Sequence, residues 1–188
     1  AMAATSELYR GMIIEFNGEP HILIEKEFRA MGKGSAFNRV KLKSIKTGKF
    51  VNNVYKSGEK VEELEVSTTN MQYLYADTDN AYFMNPETFE QTTVSLDLIP
   101  GGTDYLQTEA KYVMSFYNDE VIYVQLPGKI ALTIIEAPDA VRGDTANNAT
   151  KEVTVETGLK VKVPLFIKNG ERILVNTETN EYYSKANE

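Results

Sequence analysis

The stretch Met12-Ile13-Ile14-Glu15-Phe16-Asn17-Gly18-Glu19-Pro20-His21-Ile22-Leu23-Ile24-Glu25-Lys26-Glu27 sets two runs rich in β-branched residues on either side of Asn17-Gly18. An Asn-Gly pair between such runs is the preferred two-residue hairpin turn, because both positions tolerate positive φ. The same grammar recurs along the chain. Val40 to Ile45 and Phe50 to Tyr55 flank Thr47-Gly48, and Tyr73 to Tyr75 and Tyr82 to Met84 flank the polar turn Asp77 to Asn80. Tyr112 to Tyr117 and Val121 to Gln125 flank Asn118-Asp119, and Leu159 to Ile167 and Arg172 to Val175 flank Asn169-Gly170. The expectation is an all-β chain. Only Asp104 to Lys111 reads as a short helix, with Pro86 to Gln91 as a single turn.

A chain of 188 residues can hold one domain or two to three small ones. Polar stretches near Ser57 to Glu65 and Leu126 to Lys129, together with a shift in charge, favour three small barrels in series over one sandwich. The expected boundaries are 1–65, 66–128 and 129–188. Five-stranded Greek-key barrels commonly bind oligonucleotides, although a fold alone does not supply a function.

The three segments carry net charges of +2, −8 and −1 within a total of −7. Between Lys26 and Lys56 stand nine cations and a single anion, Glu27. A basic patch on an acidic body suits a phosphate-bearing partner bound in one orientation, and it also suits a plain solubilising sheet face. The alternation Arg39-Val40-Lys41-Leu42-Lys43 puts three cations on one strand face with Val40 and Leu42 toward the core. Just before it, two glycines flank Lys33 in the loop Arg29 to Phe37. Four residues per arm would project such a tip about 13 Å. That geometry fits a probe, and equally a common mobile hairpin tip.

Catalytic parts are scarce. There is no cysteine and one histidine, His21, placed within a β-run and read as structural. The absence of thiols agrees with a reducing compartment. Glu62, Glu63 and Glu65, and Asp77 with Asp79, fall at turns and linkers, where solvated charge is the ordinary explanation. Gly32-Lys33-Gly34 and Gly101-Gly102 lack the full phosphate-loop pattern. No apolar run is long enough to cross a membrane, and the N-terminus lacks a charged region followed by an apolar core. Ala1 ahead of Met2 reads as a cloning remnant.

The run Glu27-Phe28-Arg29-Ala30-Met31-Gly32-Lys33-Gly34-Ser35-Ala36-Phe37-Asn38-Arg39-Val40-Lys41-Leu42 resembles the lysine loop of the bacterial elongation factor P family. Tyr73-Leu74-Tyr75, Phe83-Met84 and Thr88-Phe89-Glu90-Gln91 are similar to that family's middle domain. Arg142-Gly143-Asp144-Thr145, the run Thr157 to Phe166 and Glu181-Tyr182-Tyr183 resemble its last domain. The resemblance runs in order along the whole chain. Two positions depart from the pattern: Met31 stands where the family usually has proline, and Val153 where alanine is common. A paralogous elongation-factor-P-like protein usually carries arginine in place of Lys33.

The resemblance implies an SH3/KOW-like barrel followed by two OB-fold barrels, in an L-shaped outline that mimics tRNA. It implies a cytoplasmic, monomeric translation factor that is not an enzyme. Such proteins enter the 70S ribosome between the peptidyl and exit sites, contact peptidyl-tRNA and relieve stalling at consecutive prolines. Lys33 would reach toward the CCA end, and a dedicated enzyme would lengthen it covalently; no other cofactor is expected. Arg29, Gly32, Lys33, Gly34, Arg39, Lys41 and Lys43 would meet tRNA and rRNA, and Gly143, Asp144 and Thr145 would lie toward the small subunit and the exit-site codon. The alternatives are a general single-stranded RNA-binding protein, which the acidic middle and the lack of an aromatic platform within the basic run disfavour, and an enzyme acting on a nucleotide or ester.

Overall fold

The computed structural model describes residues 1–32, 35–138 and 150–186. Its first part comprises β1 (Met2–Ala4), β2 (Ile13–Phe16), β3 (Glu19–Met31), β4 (Ser35–Ser44), β5 (Phe50–Lys56) and β6 (Lys60–Glu62). β2 to β5 form an antiparallel four-stranded meander, while β1 pairs with β6 across its side. The Asn17-Gly18 turn has φ of 52° and 78°, as a primed turn joining two right-twisted strands requires. Met12, Ile14, Leu23, Val40, Leu42 and Val61 pack a core of their own.

The middle part comprises β7 (Ser67–Ala76), β8 (Asn80–Met84), β9 (Gln91–Ser95), β10 (Lys111–Tyr117) and β11 (Glu120–Gln125). The last comprises β12 (Lys129–Glu136), β13 (Thr150–Val155), β14 (Lys160–Pro164), β15 (Arg172–Asn176) and β16 (Glu181–Lys185). Both five-stranded sheets have the same order. The first strand in sequence lies at the centre, a meander runs to one side of it and a hairpin to the other. In the last sheet β14 comes back beside β16, curling the sheet toward closure. The fold is therefore all-β, with two curled sheets of OB type after the first barrel.

Sequence reasoning differs from the structure in two places. Asp104 to Lys111 is not a helix but a succession of turns, with Asp104 N–H bonding Gly101, Leu106 bonding Thr103 and Ala110 bonding Gln107. Partners outside the segment take up its remaining groups. Tyr112 Oη accepts from Gln107 N–H at 2.8 Å and donates to the Tyr105 carbonyl at 2.7 Å. Glu109 N–H donates to Tyr73, and its φ of 71° is incompatible with a continuing helix. Pro86 to Gln91, in contrast, does contain one turn, closed by Phe89 N–H on Asn85 O at 2.8 Å and capped by the Asn85 side chain. The second difference is the stretch Ser57 to Glu65, which is not simply a linker, since β6 folds back onto β1 within it.

The middle and last sheets share one apolar cluster that includes Phe83, Tyr105, Met114, Leu132, Ile134 and Val175. Polar bonds cross the same seam. Thr157 Oγ1 donates to Asp104 O at 2.7 Å, Gln107 Nε2 to Ala131 O at 2.8 Å, and the Tyr105 hydroxyl to Asn180 Oδ1. Burial, with the nearby charge of Asp104, pushes the Tyr105 phenol up to about 12. A group that holds its proton more tightly when folded loses stabilising power as pH rises past its unfolded value. Stability should therefore fall between about pH 10 and pH 12, and thermal melts should show it. Tyr105→Phe should cost about 1 kcal/mol at pH 8 yet decline less steeply over the alkaline range; an identical slope would exclude this phenol as the source.

A basic hairpin arm as candidate functional site

β3 and β4 are the longest adjacent strands, and their pairing makes the site. The register starts as His21↔Ser44, Ile22↔Lys43 and Leu23↔Leu42, then shifts by a bulge between Leu23 and Glu25. Beyond it Glu25 pairs with Lys41, Lys26 with Val40, Glu27 with Arg39, Phe28 with Asn38, Arg29 with Phe37, Ala30 with Ala36 and Met31 with Ser35. The ladder thus continues to the tip. Paired strand reaches Met31 and Ser35, within the span Arg29 to Phe37 that the sequence suggested as loop, and gives the arm its length. Gly32 has a φ of 49°, in the left-handed region. Lys33 and Gly34 lie outside the described residues, as do Gly143, Asp144 and Thr145.

Directly opposed residues share a face, so parity sorts the arm into two sides. Val40 and Leu42 are buried at 1% and 0% exposure, with Leu23 at 0% beneath. Arg39, Lys41 and Lys43 alternate with these and occupy the opposite side, as their spacing predicts; Arg39 is exposed, the two lysines half-buried. β5 contributes Phe50, Asn52 and Val54 to the same outer side through Lys43↔Phe50, Lys41↔Asn52 and Arg39↔Val54. The Phe50 ring lies under both ammonium groups, with Lys41 Nζ 4.7 Å and Lys43 Nζ 5.7 Å from its centroid. Each such contact contributes about 0.5–1 kcal/mol at an exposed position. Sequence reasoning overlooked this ring; the signal was its place across the Thr47-Gly48 turn from Lys43.

Several cations of the basic run are already engaged. Arg29 is tied to Glu27 by two contacts, Nη2 at 2.6 Å and Nε at 2.9 Å from Oε1. Lys26 belongs to the core-facing side, where its Nζ donates to the Leu8 carbonyl at 2.8 Å. One rung further out on that side, Asn38 is buried at 3% exposure and its Nδ2 donates to the Thr5 carbonyl at 3.0 Å. Asn38 Oδ1 is buried without a donor among the described residues.

The other candidates resolve as structure. His21 is buried at 6%, donates from Nδ1 to Glu19 O at 2.9 Å and meets Phe16 edge-on. Glu63 accepts from Tyr9 Oη, Glu62 pairs with the N-terminal amine, and Asp77 caps its own turn while accepting from Tyr82 Oη. Among the described residues no group of three or more His, Cys, Asp or Glu could hold a metal ion. A cleft of about 570 Å³ lies between the first and middle parts and is lined by residues such as Tyr9, Glu63, Ser115 and Tyr123.

Fold and site together define a chain of small β-barrels carrying a cationic hairpin arm on its first barrel. Three family models match it in succession: the Elongation factor P KOW-like domain over residues 4–61, the Elongation factor P OB domain over 66–124, and the Elongation factor P C-terminal domain over 130–185. Elongation factor P of Borrelia hermsii is 43% identical over 187 residues, covering 98% of this chain and 97% of that protein. Elongation factor P of Treponema pallidum strain Nichols is 39% identical and covers both chains completely. The structure of the protein described as eukaryotic translation initiation factor 5A from Methanococcus jannaschii superposes with a TM-score of 0.52 over 66% of this chain and 94% of that one; at 20% identity this is a likeness of fold. The chain belongs to the elongation factor P family, a family of translation factors and not of enzymes.

Amine acylation should rank the cations of the arm. Lys26 is exposed like Lys46 and Lys49, but its ammonium is bonded to a carbonyl, and it should react more slowly than those two. Peptide mass spectrometry against time reads the order, and equal rates at Lys26 and Lys46 would contradict the bond to Leu8.

Proposed function

We propose that this chain is a cytoplasmic elongation factor that binds the 70S ribosome between the peptidyl and exit sites and speeds peptide-bond formation at consecutive prolines. In this reading the chain is three domains, 1–65, 66–128 and 129–188, in an L-shaped, tRNA-like outline, acting as a monomer. Lys33 is the group carried toward the CCA end of peptidyl-tRNA, and a lysine-modifying enzyme extends it. Arg39, Lys41 and Lys43 lie along phosphates of tRNA or rRNA, with Arg29, Gly32 and Gly34 at the approach to the tip. Gly143, Asp144 and Thr145 face the small subunit and the exit-site codon.

The observation that supports this reading is the β3–β4 ladder, which runs on beyond its bulge from Glu25↔Lys41 to Met31↔Ser35 with Arg39 and Lys41 on its outer side; in sequence, Gly32-Lys33-Gly34 joins its two ends. Family membership supports the translational role. The chemistry agrees with it as well. Proline is a constrained secondary amine, and small displacements of a reacting group cost up to about 100-fold in rate. A factor that holds the CCA end in attack geometry needs no acid, base or metal of its own, because the ribosome remains the catalyst.

The test is the yield of a Pro-Pro-Pro peptide from purified stalled ribosomes. Wild-type protein should restore synthesis and Lys33→Ala should not, with thermal stability unchanged. Full rescue by Lys33→Ala would overturn the role of that lysine. Lys41→Ala and Lys43→Ala should instead raise the half-saturating concentration, and each should reduce the salt slope of binding by about 0.7–0.9. An unchanged slope would remove those lysines from the phosphate contact.

A further inference from the structure

We propose that Lys26 and Asn38 are positioning residues that clamp the root of the arm to the N-terminal segment and so fix the direction in which its tip points. The inference rests on the reading of Lys33 as the group delivered to the tRNA.

The two side chains stand on the core-facing side of the arm at successive rungs, Lys26↔Val40 and Phe28↔Asn38. Both donate to backbone carbonyls of one short segment, Lys26 to Leu8 and Asn38 to Thr5. That segment is itself fixed. Thr5–Glu7 forms a 3₁₀ turn whose flanks Ala3 and Leu8 are buried in the first core, and the preceding β1 is paired with β6.

A clamp is required here because of how sheets deform. Ladder hydrogen bonds lie in the plane of the sheet and resist shear within it. Bending out of that plane is resisted only by contacts on a face. β5 braces the arm in the plane as far as Phe37↔Lys56, and Ser57 N–H reaches Ala36 O at 3.0 Å. At the root of the arm, the donors that tie its core-facing side to the N-terminal segment are Lys26 and Asn38. From Asn38 to Ser35, in the last described pair, the chain climbs three positions, about 10 Å at strand rise. A bend of about 10° at the root would therefore move the end of the ladder by about 1.7 Å, more than the displacement of about 1 Å that suffices to cost 100-fold in rate.

Asn38 adds a second line of support. The amide is buried, its Oδ1 finds no donor among the described residues, and its Nδ2 is spent on the Thr5 carbonyl, so the polar group serves that one bond.

The experiment compares full-length wild type, Lys26→Met, Asn38→Leu, the double variant, Lys26→Arg and Lys33→Ala, those that retain Lys33 being matched for its modification state by peptide mass. Pro-Pro-Pro synthesis on stalled ribosomes is titrated with each. The double variant should lose about tenfold or more in maximal rate while its half-saturating concentration stays within about twofold, and Lys26→Arg should retain the wild-type rate. Asn38→Leu leaves the Thr5 carbonyl unpaired and should melt lower than wild type, so rates are compared at a temperature where every variant is folded by its own melt. Because the chain has no cysteine, spin labels attach only at Glu15→Cys and Ala36→Cys, and the distance distribution between them should broaden in the double variant. An unchanged maximal rate, an unchanged distribution, or a loss seen only in half-saturating concentration would each overturn the clamp. Failure of Lys33→Ala to reduce rescue would instead overturn the reading of the tip, whatever the clamp variants do.

Discussion

The bulge between Leu23 and Glu25 is the constraint on which the arm depends. Before it, the odd positions of β3 point inward, as Leu23 does opposite Leu42. Beyond it, the even positions Lys26, Phe28 and Ala30 take that side, opposite Val40, Asn38 and Ala36. Without the extra residue, Glu25, Glu27 and Arg29 would stand on the side of Val40 and Asn38 instead of opposite Lys41, Arg39 and Phe37. With it, Glu25 and Glu27 stand opposite Lys41 and Arg39 on the outer face, and Lys26 is directed to the Leu8 carbonyl. One inserted residue therefore determines both which cations look outward and which one anchors the arm.

Packing divides the molecule unequally. The first barrel has its own apolar cluster, whereas the middle and last sheets share one, crossed by hydrogen bonds from Thr157, Gln107 and Tyr105. A shared core resists opening because separation would expose apolar surface at about 25 cal/mol per Å². Between the first barrel and its neighbour lies a cleft of about 570 Å³ instead. The exposed pair Arg10–Glu178, at 3.6 Å, bridges the first and last parts and contributes little in water. The barrel that carries the arm is thus held to the rest more weakly than its neighbours are held to each other.

What the sequence made legible follows from locality. Asn17-Gly18 and Asn118-Asp119 announced their hairpins because positive φ is a property of the turn residues themselves. The alternation from Arg39 to Lys43 announced its two faces because strand period is local too. The bulge at Ile24, the β1–β6 pairing and the bond from Lys26 to Leu8 were not legible. Each depends on a partner 18 or more positions away in the case of Lys26 and about 60 in the case of Met2↔Glu62. The apparent helix at Asp104 to Lys111 failed for the same reason, since Tyr73 and Tyr112 claim its backbone groups. Of the site, the basic outer face could be read from the sequence, while the Phe50 ring beneath Lys41 and Lys43 needed the register between β4 and β5.

Counting charge alone gives nine cations in the basic run, but their settings differ, and the difference determines what they can do. An ammonium free in water must be immobilised on binding, at about 0.5–1.5 kcal/mol for each long side chain ordered. Lys41 and Lys43 are already gathered over Phe50, and Arg29 is already oriented by Glu27. Part of that ordering is therefore complete before any partner arrives. The Phe50 ring is neutral, so it organises the lysines without cancelling their charge, whereas Glu27 reduces the field that Arg29 presents. The outer face is for this reason most positive along Arg39, Lys41 and Lys43, whereas the middle segment carries −8. A field that is positive on one strand face and negative elsewhere orients an anionic partner as it approaches.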